Sequence, residues 1–244
     1  MPTIYGLIPA RAGSQRIKDK NMQTLKDYPL FFWTAKAAVK SGIFDKVILS
    51  TDNKDLIDYT WISDDTIQKI CSEIEYHHRK PEHATSNSPD IDWIRDYFEN
   101  ETKHPDYFMI LRPTNPFRTA QTIIRAWEQI KQDEYADSLR AVSKVKQHPG
   151  KMWTVQENKL IPLMNWPEIE GQPSYNLPTQ LLPEVYVQNA CIEIGEVRNA
   201  LFRGTVSGEK IIPFYTHGLE GFDINTQEDL LLARYYVEKG IVKL

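Results

Sequence analysis

The chain begins with a short apolar run, "TIYGLIP" (residues 3–9), closed by Pro9. Its length and sharp end predict a buried strand. "PLFFWTAKAAVKSG" (29–42) spaces its apolar residues at helical intervals, with Pro29 placed to open the helix and Gly42 to end it. "KVILSTD" (46–52) is a second buried strand ending in polar residues. "NKDLIDYTWISDDTIQKICSE" (53–73) has helical spacing with a break expected near Ser63, and "IEYHHR" (74–79) is a third candidate strand. "SPDIDWIRDYFENE" (88–101) predicts an amphipathic helix with Ser88 as a candidate cap. "YFMILRPT" (107–114) predicts a strand and "TAQTIIRAWEQIKQ" (119–132) the helix after it. Strands and helices alternate. The pattern therefore predicts the α/β class, with a mostly parallel, doubly wound sheet of Rossmann type.

After about residue 135 the rhythm changes. "DSLRAVSKV" (137–145), "YVQNACIEIG" (186–195) and "EKIIPFYT" (209–216) keep strand character. "TQEDLLLARYYVEKG" (226–240) is a terminal helix with Thr226 as cap and Glu228 and Asp229 in its first turn. Between them, residues 148–185 are rich in prolines and polar residues and have no long helical period. That stretch is too long for a plain connector. Its expected role is a lid, a dimer arm or a substrate loop. The expectation is one domain over 1–244 with an extension at about 143–183.

Ligands of parallel sheets bind beyond the carboxyl ends of the strands. Those ends carry "PARAGSQRIKDKN", "STD" and "RPTNPFR", so all three loops should face one crevice. The first loop is short and basic: Arg11, Arg16, Lys18 and Lys20 surround the flexible Ala12-Gly13-Ser14. It matches neither the P-loop nor the three-glycine dinucleotide pattern. Its backbone N–H groups could turn inward as an anion-holding concavity. Arg11 could grip phosphate oxygens bidentately and Lys20 act as a point charge, a combination suited to a triphosphate.

The 244 residues carry a formal net charge of −4, so the basic loop is a local feature and no general nucleic-acid surface is expected. No apolar run approaches a membrane span, and the start lacks a basic segment followed by a long apolar one. Cys71 and Cys191 are far apart in sequence and read as thiols of a reducing compartment. A cytoplasmic protein is expected. His77 and His78 should point to opposite faces of a strand, which makes them a poor metal pair, and no histidine is assigned catalysis.

"IPARAGSQRIKDKN" (8–21) resembles the opening motif of the cytidylyltransferases that activate acidic sugars as CMP conjugates: the acylneuraminate (CMP-sialic acid synthetase-like) family with its legionaminic, pseudaminic and deoxy-octulosonic acid relatives. "STD" (50–52), "LRPTNPFRT" (111–119) and "FDINTQEDL" (222–230) follow in that family's order, so the resemblance spans nearly the whole chain. It implies a nucleotide-diphospho-sugar transferase-like fold and a homodimer. It also implies an activity: CTP and an acidic 2-keto sugar react at the α-phosphate, pyrophosphate leaves, and a divalent ion, Mg²⁺, assists. For the nucleotide it implies Ala10, Arg11, Ser14, Lys20 and Asn21, with Arg79, Lys80 and Ser88 from "RKPEHATSNS" near the base. Arg11, Lys20 and Asp223 would carry the chemistry. For the sugar it implies Arg112, Thr114, Asn115 and Arg118, with Arg112 and Arg118 as candidates for its carboxylate, and Gln180, Tyr186, Asn189 and Glu193 from the later segment.

Three departures limit the resemblance. The family's Asp-x-Asp metal pair reads Asp223-Ile224-Asn225 here. Both side chains would face one ion in an extended segment, but Asn225 is neutral. In "PTQLLPEVYVQNACIEI" (178–194), Thr179 and Ala190 replace the family's Arg and Gly, and Glu193 replaces a Tyr. Arg112 and Asn115 stand where family members often carry Gln and Ser. The nucleotide half therefore matches better than the sugar half.

Overall fold

In the computed structural model of the chain, residues 2–62, 64–164, 166, 168–169 and 171–244 are described. They comprise β1 (Ile4–Pro9), the short strands β2 (Thr24–Leu25) and β3 (Tyr28–Pro29), α1 (Leu30–Ser41), β4 (Lys46–Thr51), α2 (Lys54–Ile62), α3 (Asp65–Cys71), β5 (Glu75–His78), α4 (Asp90–Asn100), β6 (Tyr107–Ile110), α5 (Ala120–Lys131), β7 (Ser138–Lys144), β8 (Trp153–Gln156), β9 (Lys159–Pro162), β10 (Tyr186–Glu196), β11 (Ile211–Tyr215) and α6 (Gln227–Glu238). The break expected near Ser63 falls on a residue outside the described ones. The helix beyond it is capped by Asp64, whose side chain accepts from the N–H groups of Thr66 and Ile67.

Seven strands form one sheet in the order β11-β7-β10-β6-β1-β4-β5. β1 pairs in parallel with β4 and β6, β4 pairs in parallel with β5, and β10 lies antiparallel to β6. The central strands alternate between two buried faces. Ile4 and Ile8 of β1 join Leu49, Met109 and α1 and α5 residues in one core, while Tyr5 and Leu7 join Ile48, Phe108 and Trp93 of α4 in the other. A parallel sheet covered on both faces explains why its strands read as continuous apolar runs.

The chain divides into two compact units, residues 1–141 with 189–244, and residues 142–188. The smaller unit contains the β8–β9 hairpin, with Trp153 opposite Pro162 and Glu157 and Asn158 at positive φ in the turn. No helix among the described residues is long and apolar enough to cross a membrane.

Thr119 and Thr226 cap α5 and α6, each in a reciprocal box with the residue three positions on. Ser88 does not cap α4: Pro89 holds that position without a side-chain bond, and the Ser88 hydroxyl instead donates to the Glu82 carbonyl at 2.8 Å. Proline fixes the extended φ needed there and leaves Ser88 one residue too early.

Candidate active site

A pocket of about 310 Å³ opens at the carboxyl ends of the parallel strands. It collects Pro9, Arg11, Ser14, Arg16, Lys20 and Asn21 after β1, Arg79 after β5, Asp90 at the start of α4, Arg112, Pro113 and Thr114 after β6, Ala190 of β10, and Asp223 and Asn225 before α6. Five cationic side chains thus face two carboxylates, and the pocket is an electropositive patch on a chain with negative net charge.

The loop after β1 is held from behind. Thr51 donates its hydroxyl to the Ala10 carbonyl at 2.7 Å, and Ala10 itself is fully buried. The Asp52 carboxylate accepts the Ala12 N–H at 2.7 Å. The "STD" segment therefore buttresses the loop and does not line the pocket. Of the three donors of the expected backbone concavity, the Ala12 N–H is committed to Asp52, which leaves those of Gly13 and Ser14. Gly13 takes a positive φ of 68°, which lets the chain turn there without strain. Asn21 is buried and donates to the Arg11 carbonyl at 3.1 Å, closing the loop on itself.

The pocket cations differ in how far they are spent. Arg112 is held by two carboxylates. Its Nη2 lies 2.6 Å from Asp90 and 2.8 Å from Glu193, and its Nε 3.1 Å from Glu193. By contrast, among the described residues Arg11 donates only to backbone carbonyls, and Arg16 donates to the Asn225 side-chain oxygen at 2.8 Å. Lys20 donates to the Ile224 carbonyl at 3.1 Å. Burial lowers the Lys20 ammonium below the ordinary lysine value. Asp223 opposes that shift, while Arg16, Arg11 and Arg112 add to it. Arg79 is 3% exposed, donates to Ser50 and lies over the Trp93 ring at 4.5 Å. Burial drives its pKa down to about 10 against the pull of Asp90 and Asp52.

Next to Arg16 and Lys20, Asp223 and Asn225 line the pocket on either side of buried Ile224. Asn225 donates its amide to Asp223 Oδ2 at 2.5 Å, while Asp223 Oδ1 is buried without a hydrogen-bond partner. An orphaned carboxylate oxygen on a pocket-lining residue fits a cation ligand. The Asn225 oxygen, taken by Arg16, does not fit that role as placed. No cluster of three or more potential metal ligands exists among the described residues, so a bound ion would take most of its ligands from substrate and water. Thr114 joins this segment to the β6 loop, its carbonyl accepting the Ile224 N–H at 2.8 Å.

Several residues of the larger unit that were expected at the site lie elsewhere. Lys80 points out of the pocket and pairs with Asp96. Ser88 bonds within its own turn. Asn115 is fully buried and donates to the Phe222 carbonyl at 2.8 Å. Arg118 is 2% exposed and donates to the carbonyls of Cys191 and Arg112 and to the Thr34 hydroxyl, so it knits the fold together beneath the loop. Burial lowers its pKa to about 10. Asn189 donates to Thr216 at 3.0 Å and Glu193 sits behind Arg112, so neither lines the pocket. Gln180 and Tyr186 belong to the smaller unit, where the Tyr186 hydroxyl donates to Glu184 at 3.0 Å.

Sequence reasoning did not single out Asp90 or assign Arg16 to the site. The signal for Asp90 was an acid in the first helical turn, which helix-dipole complementarity explains equally well.

The comparisons with known proteins agree with this geometry. The chain is 32% identical over 155 residues to the N-acylneuraminate cytidylyltransferase of Streptococcus agalactiae, a match covering 62% of this chain and 34% of the relative. The chain thus aligns with about a third of that relative's length. It is 26% identical to the CMP-N,N'-diacetyllegionaminic acid synthase of Legionella pneumophila, with 96% of both chains covered. Its fold matches the CMP:2-keto-3-deoxy-manno-octonic acid synthetase with a TM-score of 0.64 at 11% identity, over 98% of this chain and 99% of the other. The 4-diphosphocytidyl-2C-methyl-D-erythritol synthase of Anaerococcus prevotii matches with a TM-score of 0.63 at 13% identity, over 97% and 99%. The cytidylyltransferase family model matches residues 5–160, well over half of the chain and including the basic loop, the buttressing "STD" and the β6 loop. The chain belongs to the cytidylyltransferase family.

Proposed function

We propose that this protein transfers CMP from CTP to the anomeric hydroxyl of an acidic 2-keto sugar of the nonulosonic, sialic acid-like class, for cell-surface glycan synthesis. The observation that carries the proposal is the set of pocket cations without carboxylate partners, Arg11, Arg16 and Lys20, set against the orphaned oxygen of Asp223. The anomeric oxygen attacks the α-phosphorus, the bond from that phosphorus to the β-phosphate bridge oxygen breaks, and pyrophosphate leaves with its charge. The hydroxyl proton passes to solvent. Positioning and charge stabilisation supply most of the catalysis in such a transfer. Arg11 and Lys20 hold the phosphates, Ser14 and Asn21 fix the loop around the nucleotide, and Arg79 lies toward the base. Asp223 would hold a divalent cation, Mg²⁺, as its one anionic protein ligand. When bound, that ion would neutralise phosphate charge and acidify the attacking hydroxyl.

The test is pyrophosphate release from CTP with a panel of nonulosonic and octulosonic acids. Release only when such a sugar is present supports the proposal, and no release across the panel overturns it. A preference for UTP or GTP would point to a nucleotidyltransferase for another sugar or sugar phosphate. The amide of Asn225 on Asp223 favours one further reading, a nucleotide-binding homologue with impaired turnover. Asn225→Asp separates the two, because gain of turnover from none supports impairment and robust wild-type turnover excludes it.

We also assign the extension at about 143–183 to a homodimer contact. Val155 and Leu160 are 71% and 61% exposed on the hairpin, and Leu163 and Met164 beyond it are about half exposed. Such a row of apolar side chains marks an interaction surface. Light scattering should give twice the 28.4 kDa chain mass, and a monomer at working concentration would remove this assignment. The buried, unbridged thiols of Cys71 and Cys191 support a cytoplasmic setting.

A further inference from the structure

One arginine of the pocket is built unlike the others. Glu193 is 4% exposed and lies between two guanidinium groups, receiving Arg112 at Oε1 and pairing with Arg140 at Oε2. Arg140 is itself fixed by Ser207, which accepts from its Nε at 2.8 Å and its Nη2 at 2.6 Å. On the other side of Arg112, Asp90 takes Nη2 at 2.6 Å while its second oxygen accepts the Trp93 indole N–H at 2.8 Å. The cluster Arg140–Glu193–Arg112–Asp90 holds two positive and two negative groups and is neutral as a whole. Arg112 still lines the pocket. Its Nε and Nη2 are committed to the two acids, which among the described residues leaves Nη1 for a ligand.

From this arrangement we infer that Arg112 recognises the sugar as a fixed directional hydrogen-bond donor and not as a free positive charge, and that Glu193 is the positioning residue that sets its direction. The inference rests on the proposed CMP transfer to an acidic sugar and adds how one wall of that site reads the sugar. A guanidinium fork clamped at two nitrogens has little freedom left, so the third nitrogen is preorganised. An ammonium at the same position would keep the charge and lose the fork. The unpaired cations Arg11, Arg16 and Lys20 remain to meet the anionic groups of the two substrates. Residue 193 helps make an arginine workable at position 112: without that buried acid, Asp90 alone would face the Arg112 guanidinium, and Arg140 would lose its carboxylate partner.

The test is steady-state kinetics on the full chain, with CTP and sugar varied separately. Arg112→Lys keeps the charge, and Glu193→Gln keeps the shape of the positioning side chain while removing its anion. Both should raise the sugar KM at least about tenfold, the loss expected for one hydrogen bond involving a charged group. The CTP KM should stay within a small factor of wild type. If Arg112→Lys retains the wild-type sugar KM, charge alone suffices and the inference falls. If the sugar and CTP KM values rise together, Glu193 is merely structural and the inference also falls. Should Glu193→Gln fail to fold, Asp90→Asn removes the other anion from the same nitrogen and must raise the sugar KM in the same way. Wild-type turnover with unmoved variants overturns this inference alone, whereas a wild type inactive with every acidic sugar overturns the proposed function and this inference with it.

Discussion

Among the pocket side chains, Lys20 couples the site most directly to pH. Burial holds its ammonium below the ordinary lysine value, so it loses its proton earlier than an exposed lysine as pH rises. The protonated form binds phosphate, so CTP affinity should fall on the alkaline side at a lower pH than an exposed lysine would give. Lys20→Arg should flatten that fall, since a guanidinium keeps its charge. Calorimetric titration of CTP at several pH values measures both, and an equal slope in wild type and variant would remove Lys20 from the phosphate contact. Arg11→Ala and Lys20→Ala should each weaken CTP binding more than about tenfold, well beyond the roughly 0–1 kcal/mol of an exposed ion pair. Asn225→Asp places a second carboxylate beside the orphaned oxygen of Asp223. The Mg²⁺ concentration needed for half-maximal pyrophosphate release should drop several-fold, and an unchanged requirement would show that Asp223 does not face the ion.

At the scale of elements, the chain was legible where burial and periodicity coincide. β1, β4, β6, α1, α5 and α6 follow from apolar runs and helical spacing because each faces one of two cores. The β8–β9 hairpin was not legible: its side chains are mostly exposed, so no alternation of burial marks it, and its turn is built on Glu157 and Asn158 and not on glycine. The same limit applied to the site. Arg11, Lys20, Asn21 and Asp223 could be found from local motifs. The sorting of Arg112, Asn115 and Arg118 in one loop into a pocket wall, a tether and a buried strut depends on distant partners, Glu193, Phe222 and Cys191. Strand β10 carries one element-level constraint of its own. Gly195 lies opposite Phe108, and a Cβ there would fall 2.2 Å from the Val206 carbonyl oxygen and 2.9 Å from the Phe108 ring. Backbone cannot yield as a flexible side chain can, so Gly195→Ala should destabilise by at least the roughly 1–3 kcal/mol typical of overpacking. Urea denaturation would show it as a lower midpoint, and an unchanged midpoint would mean that the segment at Val206 moves freely. Thr226→Ala, which removes the reciprocal cap of α6, should cost about 1 kcal/mol in the same assay.

For the molecule as a whole, stability against acid is tied to His77 behind the pocket. Its ring stacks near Trp93, meets Tyr97 edge-on, contacts the Ser50 hydroxyl at 3.0 Å and lies 3.8 Å from Asp96. Burial pushes its pKa down to about 4. Asp96 opposes the shift, and Arg79, His78 and Lys80 reinforce it. In the unfolded chain the imidazole takes up its proton near the ordinary value of about 6.5. Between those two values the unfolded state binds more protons than the folded one, so stability rises with pH across that window. Lowering the pH from about 6.5 toward about 4 should therefore remove up to roughly 3 kcal/mol through this residue alone, with no further loss from it below that range. His77→Gln, which keeps a polar group for Ser50 but does not titrate, should flatten the acid side of the stability curve relative to wild type. Paired thermal or urea melts at neutral pH and near pH 5 measure the difference, which also subtracts the carboxylates common to both proteins. Because Ser50 also receives Arg79 at 3.1 Å, acid loosening at His77 should reach the pocket before global unfolding. CTP affinity in wild type should then decline below about pH 6 more steeply than in His77→Gln, and parallel declines would separate the strand-edge histidine from the site.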